Sequence, residues 1–425
     1  MSFCSPIRPT VLLFLHLLSL TPVFAQNFGP AQTTGTLQSP SLNEVSGLAA
    51  SRRNPGVLWV HNDSGGAPAL YAINTQGILL GTYTVSGAVN RDWEDIAIGP
   101  GPDPEQAYLY LGEIGDNQAV YPTVAILRVP EPSVPTSGPP VTATLPHMDT
   151  LAFTYADGPR DAETLMLDPI TRDLYVVTKR ETNCQVYVLT YPQSTNTIPA
   201  LTTLLTLPFT QAVAGDISPS GQQIAIKTYL QTFWWPRPST QTVTEALAGI
   251  VTTIPHALSF SFPQNEAIAW MDWDAGYITL AEGVGAPLVR FTNLDGIVEP
   301  DIDFDGIEDH WEWDHFQSLA TASAESDRDG DRMTDSQEFV ADTDPTNALS
   351  FLHLELEGLD HEGRLALAWT GAAGRTYQVL TAPTPTQSYL PVYTTSVADT
   401  GALVVTTPVP GSVTAFLRLE VTREE

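Results

Sequence analysis

Residues 301–312 read DIDFDGIEDHWE. Asp301, Asp303 and Asp305 stand at positions 1, 3 and 5, Gly306 at 6, Ile307 at 7, Asp309 at 9 and Glu312 at 12. That spacing suits Ca2+, a hard cation that takes about six to eight oxygens. Alternate positions aim carboxylates inward, the glycine permits the sharp turn, and the carbonyl at position 7 adds an oxygen. Residues 327–338, DRDGDRMTDSQE, repeat the pattern with Asp327, Asp329, Asp331, Asp335 and Glu338, and Met333 supplies the carbonyl at position 7. Here Arg332 takes position 6, and Gly330 sits at position 4. A side chain in the left-handed conformation costs on the order of 1 kcal/mol. The second loop is therefore expected to bind more weakly or with shifted geometry.

A second set of charged residues is scattered but periodic. The chain holds only two lysines, Lys179 in DLYVVTKRE and Lys227 in QQIAIKTYL, each at the end of a strand-like run. Five short apolar runs open on an acidic residue: Glu44, Glu94, Glu163, Asp216 and Glu266, separated by 50, 69, 53 and 50 residues. A second apolar run follows each, ending at His61, Asn62 and Asp63, at Glu113, Asp116 and Asn117, at Lys179 and Arg180, at Lys227, and at Glu282. DWEDIA adds Asp92 and Asp95 beside Glu94. If a metal is held here, this unit is the first candidate to supply ligands.

Self-similarity at this period, with about four alternating strands per unit, is the signature of a β-propeller. Five units predict five blades, with a sixth open near residues 120–155 or 232–262. The strand near TTGTLQ is expected to close the ring against the last blade. In a blade, the start of the inner strand and the end of the second strand share one face of the disc. The acidic starts and the strand ends, both lysines included, should then gather around the axis. Two readings follow. Lys179, Arg180 and Lys227 clamp a small anionic ligand beside an axial metal, or they neutralise a ring of carboxylates that would otherwise raise one another's pKa.

Residues 40–295, by repeat architecture and by acidic and asparagine residues at the blade mouths, resemble the gluconolactonase/paraoxonase-like and phytase-like secreted propellers. That resemblance implies a metal-dependent hydrolase of phosphate esters or lactones. Five units depart from the six blades usual there. Residues 299–350, by their ligand spacing, resemble dockerin and thrombospondin type 3 modules, which implies a calcium-stabilised spacer.

The rest of the chain frames these sites. VLLFLHLLSL after Arg8, then PVFA, reads as an export signal over residues 1–25, and no later run is apolar enough to span a membrane. The expected location is secreted, periplasmic or cell-surface. A net charge of −30, from 48 acidic and 18 basic residues, argues against nucleic acid as a partner. Loss of the signal leaves Cys184 alone. From Phe351, six alternating runs predict a small β-sandwich, a spacer or a binder of cell-surface glycan. The chain thus reads as mainly β: a propeller over 26–297, a calcium-loop module over 298–350 and a sandwich over 351–425. Three roles follow: ligand binding at the axial face, metal-dependent hydrolysis, or adhesion.

Overall fold

The computed structural model describes residues 28–103, 106–271, 274–294, 305–316, 321–384, 386–397, 400–407 and 416–423. The expected signal, residues 1–25, lies outside them, as do Asp301 and Asp303.

Five small sheets occupy residues 28–294. Their inner strands are Val45–Ala50, Trp93–Pro100, Ala162–Leu167, Ala212–Ile217 and Ala267–Trp270. VSGLAA, AETLML and AVAGDI are buried at every position, because each inner strand is covered on both faces. The inner strands touch in cyclic order, the fifth meeting the first. This is a β-propeller. The second strands, Val57–Asn62, Ala107–Glu113, Leu174–Thr178, Gln223–Thr228 and Gly276–Leu280, run antiparallel to them. Strand Gln32–Thr36 pairs with Pro287–Thr292 and closes the fifth sheet, as expected from TTGTLQ.

One apolar cluster fills each gap between neighbouring sheets. Trp59 and Trp93 meet between the first and second, Met166 and Trp235 between the third and fourth, and Trp234 and Trp270 between the fourth and fifth. The segments that left a sixth unit open are spent elsewhere. Val141–Leu145 pairs in parallel with Leu79–Val85 of the first sheet, and Asp149–Tyr155 extends the second. Residues 232–254 complete the fourth sheet, with the short helix α1 (Val243–Leu247) between its last two strands.

Beyond the propeller, α2 (Asp309–Phe316) and α3 (Asp335–Ala341) follow the two Asp-rich loops. Ile307, Ala322 and Phe339 form their shared core, with Trp311 packed against it. Thr334 caps α3 reciprocally with Gln337. The tail holds two three-stranded sheets with one apolar cluster that includes Trp369, Tyr377 and Val405. Arg375 and Arg423 are cross-strand partners that grip the loop module. Arg375 donates to the carbonyls of Val340 (2.6 Å) and Phe339 (3.3 Å) at the end of α3. Arg423 pairs with Glu308 at 2.7 Å and covers the Phe339 ring. No helix of the described residues is long and apolar enough to cross a membrane.

Candidate functional site

The ladders carry a recurrent irregularity at one end of the ring. Register shifts fall at Ser46, at Glu94 and Asp95, at Glu163 and at Val213, near the starts of the first four inner strands. A β-bulge adds a residue that the partner strand does not oppose, and so re-aims a side chain. Here the bulges turn Glu94 and Glu163 into an axial mouth.

Two overlapping carboxylate groups form there. Asp63, Asp92 and Glu94 place one oxygen each within 4.8 Å of one another, and so do Glu94, Asp161 and Glu163. Glu94 belongs to both. It is 3 % exposed, and no hydrogen bond or ion pair from the described residues reaches its carboxylate. Burial, then the charges of Glu163, Asp63 and Asp92, hold its pKa well above the ordinary value. Burial lifts Glu163 to about 8 against the opposing pull of Lys179, and burial with Asp63 nearby lifts Asp92 to about 6. Burial and Glu266 lift Glu282 to about 9. The floor is Gly115, where a Cβ would collide with Glu94 and Asp92.

The basic residues at this mouth are already paired. Lys179, 7 % exposed, is ion-paired with Glu163 and lies 5.3 Å from the centre of the Tyr229 ring. Arg180 pairs with Asp161 and donates to Asn117. Arg91 pairs with Glu113 at 3.0 Å and lies over Tyr121 at 4.0 Å. Tyr229 donates to Glu266 at 2.6 Å. Glu44 and Asn62 stand at the rim, where the Glu44 N–H donates to the Asn62 side chain at 3.4 Å.

Other expected axial residues do structural work. Asp95 is fully buried and accepts the N–H groups of Leu165 (2.9 Å) and Gly215 (3.2 Å), tying the second sheet to the third and fourth. Asp116, 1 % exposed, accepts the Tyr121 N–H at 2.6 Å. Glu113 accepts the N–H groups of Arg91 and Asp92 behind the mouth.

The matching places expected for the two lysines are corrected by register. Thr178 pairs with Ala162 and Thr228 with Ala212, so Lys179 corresponds to Tyr229, not to Lys227. Lys227 lies two residues deeper. It is fully buried, donates to Asn265 and the Ala267 carbonyl, and burial drives its pKa well down. Asp216 is likewise displaced, since Val213 occupies the place of Glu163. Its carboxylate accepts the Trp270 N–H at 2.8 Å, between the fourth and fifth sheets. Asp161 and Tyr229 belong to the mouth but were missed by the repeat pattern. The only available signal was that each directly flanks a strand.

A second candidate site lies in the Asp-rich loops. In the second, Asp327, Asp329 and Asp331 place oxygens within 4.8 Å of one another. One oxygen each of Asp329 and Asp331 accepts a loop N–H, while Asp329 Oδ2, Asp331 Oδ2 and Glu338 Oε2 are buried without a hydrogen-bond partner. Glu338 is fully buried, and burial opposed by Thr343 raises it to about 7. Three orphaned oxygens at positions 3, 5 and 12 fit a hard cation. Asp335 is committed to Ser326 and Arg328. Met333 donates its N–H to Asp331. Arg332 has φ +85°, and Gly306, at the same position of the first loop, has φ +90°. In the first loop Asp305 accepts the Ile307 N–H at 2.9 Å, Asp309 opens α2 and Glu312 is fully buried.

No protein-family model and no curated protein matches the chain. Among solved structures it is similar to one titled as a nidogen/laminin complex, at 10% identity and TM-score 0.33 over 56% of this chain and 73% of that one. It is also similar to the β-propeller domain of Cps50 (Swd1) from Myceliophteria thermophila, at 13% identity and TM-score 0.32 over 62% of this chain and 100% of that one.

Proposed function

We propose that the chain is an exported, calcium-binding protein in three parts. A five-bladed propeller binds a cationic ligand at its acidic axial mouth, two calcium loops brace a spacer, and a small sandwich ends the chain. The observation that carries this reading is Glu94: buried, unpartnered among the described residues, and shared by two carboxylate groups. Such a group is costly unless a cation compensates it. A divalent ion with hard oxygen ligands fits that donor set. An anion does not, because Lys179 and Arg180 are engaged by Glu163 and Asp161. That engagement also removes the clamps a phosphate-ester or lactone hydrolase would need.

The three orphaned oxygens of Asp329, Asp331 and Glu338 support calcium in the second loop. Calcium titration calorimetry on the full chain tests both sites. Glu94→Gln should lose mouth binding and keep the loop heats, and Glu338→Gln should do the reverse. Equal stoichiometry in wild type and Glu94→Gln would remove the mouth from the proposal. Equal stoichiometry in wild type and Glu338→Gln would remove the second loop.

A further inference from the structure

The mouth face carries a second feature. Its loops expose Val89 (72%), Val120 (59%), Leu230 (71%), Leu258 (69%), Phe260 (105%) and Val284 (51%). Each lies between a strand that ends on this face and one that starts there: residues 86–92, 114–123, 229–231, 255–266 and 281–286. Scattered apolar side chains on a surface need no explanation. These share one face with the well of carboxylates.

The well already shows how it holds organic cations. Lys179 sits between the Glu163 carboxylate and the Tyr229 ring, and Arg91 between Glu113 and the Tyr121 ring. Carboxylate plus aromatic face is a known way to seat an ammonium or guanidinium group. Glu94 has no such partner among the described residues and lies at the centre of the same well.

We propose that this face docks a partner protein through a segment bearing a lysine or arginine flanked by apolar residues. The cationic tip enters the carboxylate well at Glu94, and the flanking residues cover Leu230, Leu258, Phe260 and Val284. Charge complementarity selects this occupant. The carboxylates of the well outnumber Arg91, Lys179 and Arg180, so an acidic or neutral segment would bury unpaired charge. The apolar residues add contact area that a free metal ion would leave unused.

This inference rests on the reading that the mouth accepts a cation, and the test separates the two. The full chain is panned against an unbiased dodecapeptide library, once with calcium and once with chelator. The expected enrichment is for lysine or arginine beside apolar residues. The affinity of the enriched peptide should fall at least tenfold in Glu94→Gln and in the double variant Leu230→Ser, Phe260→Ser. Both replacements in the double variant are at exposed sites. No enrichment over a bare support, enrichment of acidic peptides, or unchanged binding by the double variant would overturn the proposal. Calcium stoichiometry is measured on the same variants. If peptide binding is absent while Glu94→Gln still loses calcium, docking fails and cation binding stands. If Glu94→Gln loses neither calcium nor peptide, both fail. Enrichment seen only in chelator means that peptide and metal compete for Glu94, and docking stands for the metal-free form.

Discussion

Asp216→Asn isolates one buried carboxyl group whose cost can be worked out. Asp216 is 6 % exposed, and burial, opposed by Arg52, pushes its pKa from 3.8 to about 7. In the unfolded chain the group loses its proton near pH 4; in the native chain it keeps the proton up to about pH 7. Below pH 4 both states are protonated, and the group costs nothing. Between those values the native state holds the extra proton, so stability falls as pH rises, by about 1.4 kcal/mol per pH unit. Above pH 7 the loss levels off on the order of 4 kcal/mol. Asparagine can accept the same Trp270 N–H and does not ionise. Urea unfolding in chelator at fixed pH from 4.5 to 8.5 should therefore show the variant gaining on the wild type as pH rises, with a plateau past 7. A pH-independent offset between the two chains would refute the reasoning. So would a variant that loses ground at pH 8, since Asp216 would then be a stabilised anion.

Three further outcomes are expected. Lys179→Met leaves Glu163 unpaired beside Glu94 and Asp161, and at pH 9, above the pKa of about 8 that Glu163 has in the native pair, should cost about 3–5 kcal/mol in chelator; calorimetry should show calcium restoring part of it, and an unchanged melting point would count against a buried pair. Gly115→Ala drives a Cβ into Glu94 and Asp92, so calcium titration should lose the mouth site while loop binding persists; full stoichiometry would show that the floor can yield. Arg332→Gly relieves a left-handed side chain at φ +85° and should tighten calcium binding in the second loop by up to about fivefold, on the order of 1 kcal/mol; weaker binding would mean that the arginine assists the loop.

Much of the ring was legible because it is local. The inner and second strands alternate or run apolar, and turn residues separate them, so the sheets could be read from short stretches such as AYLYLGE and DLYVVT. Glu44, Glu94, Glu163 and Glu266 could be read as strand starts for the same reason. Asp216 and Lys227 were misaligned because uncharged Val213 and Tyr229 take the places of Glu163 and Lys179 in the fourth sheet, so a match on charge falls on residues three and two positions deeper. Tyr229 was hidden by chemistry: it occupies the place of Lys179 but is not charged. Asp161 lies just outside the repeating run. The parallel pairings of Val141–Leu145 and Ala200–Leu201 with earlier sheets were invisible, since long-range parallel contacts leave no local period.

The bulges have a consequence for how such a mouth changes over generations. The unopposed residue contributes nothing to the ladder beneath it: Ser46, Glu163 and Val213 occupy corresponding places in three sheets that are otherwise built alike. A serine, a glutamate and a valine are tolerated there because hydrogen bonding resumes one residue later in each case. The ring therefore keeps its architecture while its lining is rewritten one blade at a time. Selection can alter what the face recognises without passing through an unfolded ancestor.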